Sequence, residues 1–258
     1  MIVSPYELIL YFSQNHISFI TNKVDAGDHN HYYIQLTVGL EQNVAITIEG
    51  QPMQVPGCIL QSNVTHQLQG HRQWQWYLLI NPQSTFGELV KRTYLKDSSV
   101  FVLDKNQAKE LQQLAAERLF SVNDQVEYDT AMQLCMQILR INENSQKTSL
   151  DDRIREVLHT IDTYPPYQLT VKDLSQRMYI SESRLSHIFK NKVGISLASY
   201  LVHHKLETAF QAIFNGKSMT EAAIEAGFNS SSHFSRTVKD KLGMTARAIV
   251  QHSRFLKV

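Results

Sequence analysis

The sequence predicts an α+β chain of two domains, a small β-barrel or sandwich with following helices and then an all-α half. Three observations carry this. Apolar residues alternate with period two through much of the first hundred positions, which is the strand signature. Helical spacing replaces that period near Asp104. Beyond residue 150, a pattern of helix, short turn and capped helix occurs twice. A length of 258 residues accommodates two modest domains.

The strands come first. Tyr32, Ile34, Leu36 and Val38 alternate with His31, Tyr33, Gln35 and Thr37. Val44, Ile46 and Ile48 alternate with Ala45, Thr47 and Glu49, and Trp74, Trp76, Leu78 and Ile80 with Gln73, Gln75, Tyr77 and Leu79. Gly50-Gln51-Pro52 and Pro56-Gly57 punctuate these runs as turns. Residues 1–103 thus read as a barrel. From Asp104, Ala108, Leu111, Ala115 and Leu119 lie on one helical stripe, and Leu134, Ile138 and Ile141 continue it after a break at Ser121–Asp124. A helical segment is therefore expected over 104–142. The polar, aperiodic run over 143–150 reads as a linker. Everything after Leu150 reads as helical, a second domain over 151–258.

Composition narrows the class. Apolar content is 43% and charged content 19%, ordinary for a globular protein. The net charge of +1 divides unevenly. Residues 151–258 hold 8 Lys and 7 Arg against 10 acidic residues, while the first 150 hold 10 basic and 14 acidic. An excess of cations in one half points that half toward a polyanion. Two distant cysteines, Cys58 and Cys135, form no C-x-x-C pair and suit a reducing compartment. No basic leader precedes an apolar stretch at the start, and no apolar run approaches the ~20 residues that span a bilayer. The expected location is the cytoplasm, with no membrane partner. No phosphate loop or G-x-S-x-G elbow is present, so no enzyme activity and no cofactor is expected.

In the second half, Thr170-Val171-Lys172-Asp173 reads as a capping box with a short acid. Ser181 caps the next helix, Leu185, Ile188 and Phe189 form its inner face, and Gly194 is placed to end it. Ser218-Met219-Thr220-Glu221 opens the second pair. Ala222, Ala223 and Ala226 make a small-residue face closed by Gly227. Ser230, Ser231 and Ser232 offer caps for a helix whose inner side is Phe234, Val238 and Leu242, and Gly243 is placed to end it. Leu197, Leu201, Ala209 and Ile213 stripe one long helix between the pairs, which would hold two reading helices roughly one DNA turn, about 34 Å, apart.

Residues ~150–256 resemble the DNA-binding domain of the AraC/XylS family of bacterial regulators. The likeness lies in Leu185-Ser186-His187-Ile188-Phe189-Lys190, Tyr200-Leu201, Lys205-Leu206-Glu207-Thr208-Ala209, and above all Ala226-Gly227-Phe228-Asn229-Ser230-Ser231-Ser232-His233-Phe234-Ser235-Arg236. The resemblance implies a transcription regulator, more an activator than a repressor, with double-stranded DNA and RNA polymerase as partners. It implies base reading by Ser183, Ser186 and His187 on the first helix and by Ser231, Ser232, His233 and Arg236 on the second. Arginine bonds guanine O6 and N7 together, which makes Arg236 the strongest of these. Lys190, Lys192, Lys205 and Lys239 are expected on phosphates. The chain departs from the family pattern at Lys205, where arginine is usual, at Ala246, where proline is common, at Val238, where an aromatic is common, and at Ala222, where a larger aliphatic is usual. Few long polar side chains stand at reading positions, so affinity should lean on phosphate and DNA shape.

The first half resembles the cupin motifs, which makes the expected barrel cupin-like. His29, His31, Gln35 and His66 fall where metal-binding cupins place two histidines, a glutamate and a further histidine. Gln35 removes the one anionic ligand, and no metal is expected. His29, His31 and Gln35 share parity, so one face of one strand is expected to carry them. The barrel interior is the expected pocket for a small-molecule effector, lined by His29, His31, Tyr33, Gln35, His66, Trp74 and Trp76. The helices over 104–142 fall where family members dimerise, so a homodimer is expected, with simple packing on the barrel as the alternative. Two rival functions remain open: a metal-dependent cupin enzyme with a DNA-targeting tail, and a regulator governed by a protein partner without a small ligand.

Overall fold

The computed structural model describes residues 4–13, 15–82, 84–141, 152–193, 196–242, 244–251 and 253–258. The expected linker over 143–150 and the terminating glycines Gly194 and Gly243 lie outside the described residues. Contacts divide the chain into two units: Met1–Pro82 with Phe86–Glu143 and Thr237–Val258, and Gln83–Thr85 with Asn144–Arg236.

The first unit is a β structure with helices packed on it. Strands β1 (Leu8–Phe12), β2 (His16–Thr21), β3 (Asp25–His29), β4 (Ile34–Gly39), β5 (Val44–Ile48), β6 (Gln51–Val55), β7 (Gly57–Leu60), β8 (His66–Gln69) and β9 (Gln75–Ile80) lead to helix α1 (Thr85–Tyr94) and strand β10 (Val100–Val102). Helix α2 (Lys105–Leu114) runs into a π-turn over Ala115–Leu119, and α3 (Gln125–Ile138) follows. One sheet has the order β10-β7-β4-β9-β2-β1-β11 and the other β3-β8-β5-β6, where β11 is Ser253–Lys257.

The period-two runs mark real strands, and β5 alternates buried with half-buried residues, but β4 and β9 do not have a dry face and a wet one. Every residue of β4 and of β9 is buried. The reason is a cover on both sides. Leu36, Val38, Trp76, Leu78 and Ile80 pack in one cluster with Ala108, Leu111, Leu119, Tyr128 and Met132 of the helical segment. Asp104 caps α2 by accepting from the Asn106 and Gln107 amides, and Asp124 caps α3 through the Glu127 amide. The apolar stripe of 104–142 is therefore spent on the sheet.

Two expectations fail here. The first hundred residues are not all β, because α1 interrupts them. Its Gly87 lies so close to the end of β9 that a Cβ would sit 2.0 Å from the Asn81 carbonyl oxygen. Nor is everything after residue 150 helical. Strand β11 pairs parallel with β1, from Leu8↔Ser253 to Phe12↔Lys257, and Phe255 packs on Phe12 at 5.6 Å. The free edge of β1 overrides a weak local preference over five residues.

The second unit is helical. It holds α4 (Asp152–Thr163), α5 (Val171–Arg177), α6 (Glu182–Val193), α7 (Leu197–Phe214) and α8 (Met219–Glu225); α9 (Ser231–Leu242) begins in it, and α10 (Ala246–Val250) follows. Ile154, Val157, Ile161, Leu174, Leu185, Phe189, Leu197 and Leu201 form one core. Helix α7 has 18 residues, roughly 27 Å of rise, and buries all four residues of its predicted stripe. No helix among the described residues is long and apolar enough to cross a membrane.

Candidate nucleic-acid interface and histidine chamber

Both helix pairs are built by local hydrogen bonds. Helix α5 opens with the Thr170/Asp173 capping box and α8 with the Ser218/Glu221 box, each with both reciprocal bonds present. Both helices also end alike. The Tyr179 and Ile180 amides donate to the Gln176 and Ser175 carbonyls at 3.2 and 3.1 Å, and the Gly227 and Phe228 amides to Ile224 and Ala223 at 2.9 Å each. These are complete Schellman closures, with the left-handed position filled by Tyr179 (φ 53°) in one and Gly227 (φ 80°) in the other.

The second helix of each pair is capped by serine. Ser181 Oγ accepts from the Arg184 amide at 3.3 Å, and Ser230 Oγ from the His233 amide at 3.0 Å. Inside, Phe189 meets Tyr200 edge-on at 5.4 Å. Phe234 packs between Phe210 and Phe228 at 5.6 and 5.3 Å. Outside, Ser183, His187, Lys190 and Lys192 are exposed on α6, and Ser232, His233, Arg236 and Lys239 on α9. Ser186 and Ser231 are half-buried.

Counting from the two serine caps superposes the helices in sequence. Ser183 matches Ser232, His187 matches Arg236, and Lys190 matches Lys239. Arg184 then matches His233, and it too is exposed. The sequence reading missed Arg184, though the distance from the cap would have found it. Lys205 stands elsewhere. Its Nζ donates to the Gly227 carbonyl at 3.0 Å, and partial burial lowers its pKa. It ties α7 to the turn between α8 and α9, so its ammonium is a tether inside the fold and not a phosphate contact.

In the first unit, the structure gathers the three histidines, but not on one strand. His29 ends β3, His31 lies in the connection that follows, and Gln35 is on β4. The chain leaves β3 after His29, so parity was the wrong reason for grouping them. Cross-strand pairing does the work: His29 is opposite His66 on β8. The Asn63 amide donates to the His31 carbonyl at 2.8 Å and fixes His31 beside them. Ring centroids are 4.2 Å apart for His29 and His66, and 5.2 Å for His31 and His66. Burial pushes the pKa of both His31 and His66 down to about 4, so both rings are neutral at pH 7.

Gln35 Oε1 lies 2.8 Å from His31 Nε2, and Gln35 Nε2 donates to Thr37 Oγ1 at 2.9 Å. Tyr33 is buried, with its ring centroid 6.1 Å from that of His31. The tryptophans are elsewhere. Trp76 pairs with Val38 while Tyr77 pairs with Thr37, which puts Trp76 on the sheet face opposite Gln35 and Thr37. Trp76 Nε1 donates to Ser18 Oγ at 2.9 Å, and Trp74 packs edge-on against Phe120 at 5.3 Å. Both belong to the core under the helices, while Tyr77, stacked on Phe19 at 4.8 Å, takes the inner face. His29, His31, Asp28, Asn30 and Asn63 are among the residues lining a cavity of about 880 Å³.

A family model described as a helix-turn-helix domain matches residues 174–252. The probable transcriptional regulator LumQ of Photobacterium leiognathi is 25% identical over 227 residues, 84% of this chain and 89% of that protein. An uncharacterized HTH-type transcriptional regulator of Staphylococcus aureus (strain MSSA476) is 28% identical over 119 residues, 43% of this chain. That match spans only 16% of the relative's length. A crystal structure of an apo ToxT variant from Vibrio cholerae has a TM-score of 0.50 at 9% identity, covering 95% of this chain and 96% of that one, which is a likeness of fold. The two capped helix pairs, the matched helix-turn-helix domain and a relative alike over most of its length make this chain similar to helix-turn-helix transcriptional regulators.

Proposed function

We propose that the chain is a sequence-specific DNA-binding transcription regulator, more an activator than a repressor, working in the cytoplasm with double-stranded DNA. The observation that carries this is the cap-aligned pair of helices, each exposing a cation or imidazole at the same counts from its serine cap: Arg184 and His187 on α6, His233 and Arg236 on α9. Helical side chains at these spacings share one face and can enter a major groove together. Lys190, Lys192 and Lys239 supply phosphate contacts.

The barrel unit is the regulatory part. It takes a small-molecule effector in the cavity beside His29 and His31 and does no catalysis. The regulator acts as a homodimer on a repeated site and contacts RNA polymerase. Dimerisation through 104–142 would use the polar outer face of Lys109, Glu110, Gln113 and Glu117, since the apolar stripe lies on the sheet.

Fluorescence anisotropy on an enriched DNA fragment, repeated across salt, tests the interface. Affinity should fall steeply with salt, and Lys190→Ala should flatten the log–log slope by about 0.9 per contact. A salt-independent affinity would contradict DNA binding through these lysines.

A further inference from the structure

The three histidines of the first unit share a feature beyond their closeness. Each ring presents Nδ1 to a backbone carbonyl: His29 to Gly27 at 2.9 Å, His31 to Tyr33 at 3.2 Å and His66 to Val64 at 2.9 Å. A carbonyl oxygen only accepts, so the Nδ1 of His29 and of His66 carries the hydrogen and their Nε2 keeps its lone pair, while His31 has an acceptor at each nitrogen. The Nε2 of His66 is buried, in a residue 1% exposed, and has no hydrogen-bond partner. The Nε2 of His31 lies 2.8 Å from Gln35 Oε1, closer than its Nδ1 lies to the Tyr33 carbonyl, and donates to it when that nitrogen holds the proton. Burying an unpaired acceptor is costly, and the His66 imidazole does it beside two other imidazoles. One donor atom from each of the three rings lies within 4.8 Å of the others.

We propose that His29, His31 and His66 form a binding site for a divalent transition-metal ion of the zinc class, held by three Nε2 atoms. A cation there would satisfy the orphaned His66 nitrogen and take the place of the Gln35 bond at His31 Nε2. The carbonyl partners of the His29 and His66 Nδ1 atoms already fix the tautomer and ring orientation that such an ion requires. Three neutral imidazoles suit zinc and its neighbours, not magnesium or calcium, which take oxygen ligands. Nitrogens around a tetrahedral ion with bonds of about 2.1 Å lie about 3.4 Å apart, so the rings must close inward. His29 is half-exposed at the end of β3 and has room to do so. Three protein ligands leave a fourth position for water or for an anionic molecule from the cavity that His29 and His31 also line. The proposal rests on the barrel unit alone and stands or falls independently of DNA binding.

The test uses tag-free, full-length protein stripped with chelator and titrated with Zn²⁺, and with Co²⁺ for its visible absorption. Wild type should take one ion per chain, show the Co²⁺ bands of nitrogen ligation and unfold at a higher temperature with Zn²⁺. His29→Ala, whose side chain contributes little to the core, and His66→Gln, which keeps the volume, should each weaken binding at least about 10-fold while retaining the wild-type circular dichroism. Mg²⁺ should do nothing, and His187→Ala should leave the stoichiometry unchanged. Failure of wild type to bind Zn²⁺ would overturn the site. So would unchanged affinity in a folded His29→Ala variant, since the ion would then lie elsewhere. Should His66→Gln not fold, His29→Ala alone decides.

Discussion

The two helix-turn-helix units share one architecture and differ in the residue that turns the chain between their helices. The first closes on Tyr179, 94% exposed, and the second on Gly227, which faces backbone. A Cβ on Gly227 would sit 2.7 Å from the Tyr167 Cα, whereas Tyr179 carries a whole ring in the same backbone region. The second turn is also one residue longer, with Asn229 before the Ser230 cap, and its carbonyl is held by Lys205. One turn thus tolerates strain because its side chain escapes to solvent. The other has no room, because the loop preceding α5 packs on it. The same hydrogen-bond pattern is set by sequence in both, and only packing decides which residue types can fill it.

Breaking the tight turn should have the largest effect. Gly227→Ala combines a positive φ with a backbone clash and should destabilise the helical unit by about 3 kcal/mol, read as a shift in its denaturant midpoint. A change under about 1 kcal/mol would mean that the turn and the Tyr167 loop are looser than the geometry requires. Next comes function at matched positions. Arg236→Ala should cost about 1–3 kcal/mol of DNA affinity and relax preference at one base pair. Arg184→Ala should act in the other half of the site, so the two losses should add within ~0.5 kcal/mol. Anisotropy on single and double variants checks this, and strong non-additivity would contradict separate grooves.

A smaller effect sharpens the comparison from the other side. Tyr179→Gly removes about 1–2 kcal/mol of left-handed strain, while glycine loses about 0.5–1 kcal/mol of extra backbone freedom on folding. The net should be a stabilisation below about 1 kcal/mol in chemical unfolding, opposite in sign to Gly227→Ala. The smallest effect concerns acid. Side-chain bonds from Thr170 and Ser218 hold the Asp173 and Glu221 carboxyls below their ordinary pKa values. A depressed carboxylate contributes stability that is full above its unfolded pKa and is lost as pH falls through the folded value. Urea midpoints of Thr170→Ala and Ser218→Ala variants should therefore lie below wild type near pH 6 and converge with it toward pH 3.

Legibility followed the range of the interactions. The capping boxes and serine caps are contacts over three residues, and the sequence displays them directly. The histidine cluster was visible as a spacing, His29, His31 and His66, yet the strand parity used to join them was wrong, because β3 stops at His29 and the cross-strand register to β8 makes the site. Period two reveals that Trp76 and Tyr77 face opposite ways. It does not say which face lies under the helices, so the tryptophans were assigned to the wrong side. Lys205 reads as a free cation until the Gly227 carbonyl is seen beside it. Helix α1 and strand β11 depend on close approach and a sheet edge supplied by distant residues, and no local signal carries them.

On the proposed function, the two cap-aligned helices read DNA together. Its most direct test is selection from sheared genomic DNA with wild-type protein, Arg236→Ala and Arg184→Ala, followed by sequencing of the retained fragments. Wild type should enrich one bipartite site, and each variant should lose preference in a different half of it. Fragments enriched no more by wild type than by the two variants would contradict base reading by these helices.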